Sequence, residues 1–378
     1  MAFRFVSLQV APLSVPTIDP FRIATGEVTA TRSIAVTVTI EQDGREAEGL
    51  AEGSCLPPVT REDQPDAQRA VERAIPTLVG RHLEDLPALE VLLDDLLGTT
   101  LVARSAVEVA TLSALATLQR VPLWKFLSPS LPAAPRIETD ITIPILAPQR
   151  MAELATSWWQ QGFRAFKIKV GRNIEDDLVS LAAMAKVAPL AVFQPDANAG
   201  LTPREALRYA EAAAAAGLRL SCFEQPCASM EGLREVKEAL SVPVIADESL
   251  KTMADLDALL EADAAGAVNL KIAKTGSLLR CLEIGRAARA QGLGLMVGGM
   301  VETRLGMAAA AHLAAALGGV EFADLDTAWL LREDPFTGGY RSEHPTDANR
   351  PGPIYCLDDA TGVGLGVKWR TSARPSSL

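Results

Sequence analysis

Lysines and carboxylates in this 378-residue chain recur at one kind of place, the end of a short apolar run. Ala165-Phe-Lys-Ile-Lys169 carries two amines at period two, the spacing that turns alternate strand side chains to one face. Ala191–Pro195 leads into Asp196-Ala-Asn198, Leu220–Glu224 ends on an acid, and Val244–Asp247 ends on another, followed by Glu248. Ala267–Ile272 contains Lys271, and Val320–Asp324 begins an Asp324-Leu-Asp326 pair. Taken singly, a strand-end carboxylate commonly caps a helix or meets a surface cation, and a K-x-K pair is usually solvated. Together they say more. Three acids ending three successive strands place three carboxylates side by side, and such a group needs a cation among them. Hard oxygen ligands in an incomplete set suit Mg²⁺, which keeps positions open for water or substrate.

The chemistry such a site can do is proton transfer beside a carboxylate. Losing that proton builds a doubly charged ene-diolate, and a metal on its oxygens neutralises the charge. A lysine serves as base only when neutral, and cationic neighbours lower its pKa toward that state. One lysine on each face of the carbon removes a proton on one side and returns it on the other. A dehydratase would need only one base and a leaving group. Asp324 and Asp326 at period two can both face inward and clamp an ammonium group; the structural alternative is that one of them caps a turn.

The elements that must position these residues follow from the pattern. From about Ile137 the chain alternates strand and helix. Besides the runs above, Ile141–Leu146 and Gly294–Val297 read as strands, and Met151–Gln161, Pro203–Ala216 and Ser277–Gln291 as helices. Thr202, Pro203 and Glu205 supply a capping box with proline at the first helical position. Eight short strands, seven followed by helices, predict a closed parallel barrel, a (β/α)7β TIM-like fold whose active site lies at the C-terminal strand ends. An open doubly wound sheet would want a glycine-rich phosphate loop after its first strand, and Leu146-Ala-Pro-Gln-Arg150 is not one. The first third reads as α+β. Strands are predicted at Phe3–Val10 and Arg32–Glu41, loops at Pro16–Gly26 and Gly49–Asp66, and helices at Ala67–Thr77, Leu86–Leu97 and Ala106–Leu118. Ser128–Pro135 is the boundary. The expected organisation is an α+β capping domain over 1–133, a barrel over 134–331, and a segment over 332–378 that returns to the cap.

Composition narrows the function classes. Hydrophobic residues make up 48% of the chain, enough for a large core, and the net charge of −11 with no basic run excludes a nucleic-acid partner. Five scattered cysteines without a C-x-x-C pair fit reduced thiols and a cytoplasmic enzyme. No apolar run is expected to span a membrane, and the N-terminus alternates like a strand rather than a signal peptide. A homo-oligomer is expected. His82 and His344 are expected on the surface, and His312 packed in a helix. Ser249 has no histidine in a triad-like context, and Trp158-Trp159 suits packing or a subunit contact.

These residues resemble those of the enolase superfamily, in its muconate lactonising branch, and within it the dipeptide epimerases. Asp324-Leu-Asp326, Met296-Val-Gly-Gly-Met-Val-Glu-Thr303 and Ala246-Asp-Glu-Ser249 carry the closer likeness. The resemblance implies a Mg²⁺-dependent isomerase acting by 1,1-proton transfer at the Cα beside a dipeptide's carboxylate, one metal per subunit. It implies Asp196, Glu224 and Asp247 as metal ligands, with Asn198 and Glu248 beside them. Lys169 and Lys271 would be the opposed acid/base pair, and Lys167 would hold the substrate carboxylate. Asp324 and Asp326 would bind the ammonium group, with Met300 and Val301 near the pocket wall. Where the enzymes acting on Ala-Glu carry an arginine in the first capping loop, this chain has Gly26, with Arg22 close by; the expected second residue is therefore neutral, even hydrophobic. The competing readings are an N-acylamino acid racemase or o-succinylbenzoate synthase, a muconate cycloisomerase, and a non-catalytic barrel binding a metal and a small acid.

Overall fold

Alternation of apolar residues in the first half of the chain builds a sheet that needs a helix to cover it. The computed structural model describes residues 2–344, 352–357, 362–371 and 373–374. Strands β1 (Phe3–Leu13), β4 (Ser33–Gln42), β5 (Arg45–Ser54) and β6 (His82–Leu83) form a sheet in the order β5-β4-β1-β6, and β2 (Pro16–Ile23) and β3 (Gly26–Ala30) form a separate hairpin. Helices α1 (Gln64–Leu78), α2 (Leu86–Leu97) and α3 (Leu101–Leu118) pack on it.

Of two regions predicted as loops, one is a hairpin and the other begins in a strand and runs on as a loop over 55–63. Pro16–Gly26 is most of the β2–β3 hairpin, with Phe21 opposite Val28 and Ile23 opposite Gly26. Gly49–Asp66 begins inside β5. Its glycines do not break the strand; they let it lie against α3. A Cβ on Gly49 would stand 1.9 Å from the Ala110 carbonyl oxygen, and one on Gly53 2.9 Å from that of Val102. Helix α3 itself is long and apolar enough to cross a membrane by length and composition, contrary to expectation, but it is 89% buried and packs against β4 and β5.

After α4 (Leu123–Leu127) and β7 (Ile137–Glu138) comes the barrel. Its strands are β8 (Ile141–Ile143), β9 (Ala165–Lys169), β10 (Val192–Asp196), a fourth strand in two pieces, β11 (Arg219–Leu220) and β12 (Phe223–Glu224), then β13 (Val244–Ala246), β14 (Ala267–Leu270), β15 (Gly294–Gly298) and β16 (Phe322–Asp324). All neighbouring pairs are parallel, from β8 round to β16. Helices α5 (Pro148–Gln160), α6 (Ile174–Val187), α7 (Pro203–Ala215), α8 (Met230–Ala239), α9 (Met253–Glu261), α10 (Ile272–Thr275), α11 (Leu278–Ala290) and α12 (Arg304–Ala316) follow the strands. The capping box at Thr202 and Glu205 is present.

The first and last strands share no ladder among the described residues. Single bonds close the seam instead: the Asp140 amide donates to the Ala323 carbonyl (3.1 Å), the Leu325 amide to Thr139 Oγ1 (2.9 Å), and the Thr142 amide to Asp326 Oδ2. In the C-terminal segment, β17 (Phe336–Gly338) pairs with β20 (Val367–Trp369), and β18 (Arg341–Glu343) with β19 (Ile354–Cys356). The Leu365 amide donates to Ser113 Oγ on α3, which ties this segment to the cap. Part of the segment read from sequence, 345–351, 358–361, 372 and 375–378, lies outside the described residues.

Candidate active site

Register brings the acids together. Asp196 is the ladder partner of both Lys169 and Glu224, and Asp247 follows the end of β13, the next strand. Every one of these side chains is buried, so each charge must be answered inside the barrel. Lys167 Nζ stands 3.2 Å from Asp196 Oδ2, 2.8 Å from Glu224 Oε2 and 2.5 Å from Asp324 Oδ2. The Glu224 contact is an ion pair without hydrogen-bond geometry, since Oε2 has no hydrogen-bond partner among the described residues. Lys169 Nζ donates to Asp196 Oδ2 at 2.6 Å, and Lys271 Nζ to Asp247 Oδ2 at 2.7 Å. Gly298 leaves room for Lys271: a Cβ there would come within 3.1 Å of the lysine Cε.

The electrostatics follow from burial set against neighbours. Burial alone would raise Asp196, but the ammonium groups of Lys169 and Lys167 outweigh it and bring the carboxyl down to about 2. Glu224 goes the other way, up to about 7, because burial and the Asp196 charge exceed what Lys167 and Lys271 return. Lys271 is raised although burial disfavours its charge, since Asp247 faces it.

Do these residues suit a divalent cation? Three buried carboxylates at adjacent strand ends are hard oxygen donors, and lysine ammonium groups stand on them now. Glu224 keeps an oxygen free of hydrogen bonds. The set fits Mg²⁺ held by Asp196, Glu224 and Asp247. The tightest gathering of acidic oxygens among the described residues is a different one, Asp140, Asp324 and Asp326, within 4.8 Å of one another. It lies at the seam between first and last strands, with Lys167 already on Asp324.

Beside the strand ends opens a small, partly enclosed cavity. Its polar wall includes Lys169, Lys271, Asp324, Asn198 and Glu248; Asn198 Nδ2 donates to Glu248 Oε1 at 3.0 Å. Its apolar wall is Met300 from the barrel and Phe21, Ile23, Leu56 and Val59 from the cap. Val301 does not line it; that residue is buried, with its carbonyl accepting from Ser54 Oγ at 3.1 Å. Asp326 does not line it either. Strand β16 ends at Asp324, and Asp326 turns into the following 3₁₀ turn, where its carboxylate accepts from the Thr142 amide. Arg22 pairs with Glu27 at 2.5 Å and lines no part of the cavity; Gly26 sits 3.7 Å, by its would-be Cβ, from the Pro57 carbonyl.

Four residues of this site escaped the sequence reading. Lys274 Nζ donates to Asp247 Oδ1 (2.6 Å), the Asp247 carbonyl (2.5 Å) and the Asn269 carbonyl (3.0 Å). It occupies Asp247 Oδ1, while Oδ2 accepts from Lys271. Its signal was the i, i+3 spacing of Lys271-Ile-Ala-Lys274. Asn269 Nδ2 holds Glu224 Oε1 at 2.8 Å. Gln225 fixes the next loop: its Oε1 accepts from the Asp247 amide (2.8 Å) and its Nε2 donates to Ser249 Oγ (2.7 Å). Asp140 follows Glu138 and Thr139 and immediately precedes β8, and no local pattern marks it as buried. Elsewhere, His312 is packed, accepting from the Trp124 amide at 3.0 Å; His82 and His344 are exposed; and Trp158 stacks edge-on with Phe163.

A barrel with acids and lysines at this mouth, under an α+β cap, defines a class, and comparison with known proteins gives the same one. Residues 150–373 match the family model described as enolase C-terminal domain-like, and residues 6–128 that of the mandelate racemase / muconate lactonizing enzyme N-terminal domain. The chain belongs to this enolase-like, mandelate racemase / muconate lactonizing enzyme family. Among its relatives is an L-Ala-D/L-amino acid epimerase of Populus trichocarpa, 38% identical over 366 residues, covering 95% of this chain and 83% of the relative. Among solved structures, the substrate-liganded L-Ala-D/L-Glu epimerase from Bacillus subtilis superposes with a TM-score of 0.85 at 29% identity, covering 96% of this chain and 98% of the other. The dipeptide epimerase of Enterococcus faecalis V583, complexed with Mg and L-Leu-L-Tyr, gives 0.84 at 27% identity, covering 97% and 99%.

Proposed function

We propose that this protein is a Mg²⁺-dependent dipeptide epimerase that inverts the Cα beside the carboxylate of dipeptides with an uncharged, apolar second residue. One observation carries the reaction: Lys169 on β9 and Lys271 just after β14 line one cavity from strands four places apart in a ring of eight, so they face each other across it. Relatives that act on dipeptides, one of them holding Mg and a hydrophobic dipeptide, support the substrate and the metal.

Bound at Asp196, Glu224 and Asp247, the metal would supply positive charge to the substrate carboxylate as the Cα proton leaves. The rest is work for side chains. One of Lys169 and Lys271 takes the proton from one face; the other delivers a proton to the opposite face. Lys167 adds fixed positive charge beside the same acids, and Asp324 offers a carboxylate to the substrate ammonium. The cap residues Phe21, Ile23, Leu56 and Val59 shield the reacting carbon from water and present an apolar surface to the second side chain. With Arg22 engaged by Glu27, no cap cation among the described residues lines the cavity to greet an acidic one. Five buried free cysteines agree with a cytoplasmic enzyme.

A screen of L,L-dipeptide mixtures in D₂O, read by mass gain, tests the reading. Apolar dipeptides should gain one deuterium and epimerise. Ala-Glu as best substrate would overturn the specificity. The second reading, an N-acylamino acid racemase, has one observation in its favour: Asp326 stands off the cavity wall, leaving Asp324 alone there. N-succinyl amino acids outperforming every dipeptide would establish it.

A further inference from the structure

The seam between the first and last barrel strands holds a carboxyl group that the reaction as described does not use. Asp140 immediately precedes β8, is 2% exposed, and is tied through its amide to the Ala323 carbonyl of β16. Neither of its side-chain oxygens has a hydrogen-bond partner among the described residues. Oxygens of Asp324 and Asp326 lie within 4.8 Å of one of its own. Among the three, Asp324 is answered by Lys167 at 2.5 Å, and Asp326 accepts from the Thr142 amide while its Oδ1 stays unpartnered. Asp140 alone has nothing.

An ionised carboxylate without a single donor is among the most costly groups to bury. Three carboxylates so close do not all ionise. An ammonium clamp, however, needs anions. The demands are met together if an acid off the cavity wall keeps its proton while Asp324, on the wall, stays ionised. A neutral carboxyl has an O–H to donate, and the nearby acidic oxygens of Asp324 and Asp326 are the acceptors that want it. Burial first, then the charges of Asp324 and Asp326, raise Asp140 well above the usual carboxylate range, against the opposing pull of Lys167. Glu224 adds to the rise.

We infer that Asp140 is a positioning residue of the ammonium subsite: a proton-bearing carboxyl behind Asp324 and Asp326 that keeps Asp324 anionic and aimed at the substrate amine. The inference rests on the dipeptide reading above and extends it to a residue outside the cavity. It gives the buried acid in Thr139-Asp140-Ile141 a function as donor, where an apolar residue would satisfy the strand but leave the two acids to repel each other.

The test compares L-Ala-L-Leu with propionyl-L-Leu, the same molecule without its amine, by kcat/KM. Wild type should favour the free amine strongly; a ratio near one would remove the ammonium subsite itself, and the role of Asp140 with it. In Asp140→Leu the ratio should fall about tenfold, through KM for L-Ala-L-Leu, as expected for one lost hydrogen bond to a charged group. Asp140→Asn, which keeps a neutral donor, should recover most of that loss. If Asp140→Leu does not fold, Asp140→Ala takes its place with the same expectation. An unchanged ratio in the apolar variant, or equal losses on both substrates, would make Asp140 structural only. A ratio in Asp140→Asn as low as in Asp140→Leu would make it an anion, a direct ligand of a cation, and would overturn the proposal.

Discussion

Buried carboxylates do opposite things at the barrel mouth and at the joint between cap and barrel. At the joint, Glu52 of β5 accepts from the Thr303 amide (3.1 Å), Thr303 Oγ1 (2.5 Å) and the Gly306 amide (3.1 Å), at the start of α12. Glu108 of α3 accepts from Ser277 Oγ and the Leu278 amide, both at 2.6 Å, at the start of α11, and pairs with the buried Arg104. These acids are answered by helix N-termini, groups that do not leave. At the mouth, Asp196, Glu224 and Asp247 are answered largely by lysine side chains, which can swing away and exchange for a metal or a substrate. A buried acid satisfied by main-chain amides fixes the fold; one satisfied by movable ammonium groups is available for chemistry.

Separating the two regions by mutation should therefore separate turnover from stability. The largest effect belongs to the mouth. Asp196→Asn, Glu224→Gln or Asp247→Asn should abolish turnover, and EDTA should do the same reversibly; full activity in a chelated sample would end the metal reading. Next comes the joint. Glu108→Ala leaves Arg104 and the α11 N-terminus short of an acceptor, and should cost about 3 kcal/mol in urea unfolding, while the folded fraction stays active.

Glu302 sharpens the contrast through pH. Burial, then the neighbouring Glu52, push its carboxyl up to about 8. The folded state thus holds a proton that the unfolded chain releases above its ordinary value near 4.5. The stability this proton represents is complete below pH 4.5 and is lost as pH rises toward 8. Glu302→Gln should flatten that decline, by on the order of 2 kcal/mol at pH 8; an unchanged slope in thermal melts from pH 5 to 8 would contradict it. The smallest effect is at the rim. Arg22→Ala breaks an exposed pair and should change kcat/KM for apolar dipeptides less than about twofold.

The mouth was legible in the sequence because period two is a strict rule within a strand: Lys167 and Lys169 share a face, and acids at the ends of apolar runs become neighbours once the strands align. The rule stops where the strand does. Asp326 lies beyond β16, so alternation no longer aims it. Lys274 reaches Asp247 by a helical turn rather than a strand step. The cap's contribution was hidden by Pro16 and Gly49, residues that usually mark loops but here sit in a hairpin and beneath a helix. The apolar roof comes from those misread segments and the loop after β5, which is why specificity was harder to read than reaction class.

The central claim is that two lysines work from opposite faces of one carbon. Deuterium incorporation from D₂O into L,L- and L,D-Ala-Leu by Lys169→Met and Lys271→Met tests it most directly. Each variant should lose epimerisation by about 10³-fold, as for loss of a positioned acid/base. Each should still exchange the proton of one diastereomer, with opposite preferences. Either variant epimerising at the wild-type rate, or both exchanging the same diastereomer, would contradict the account.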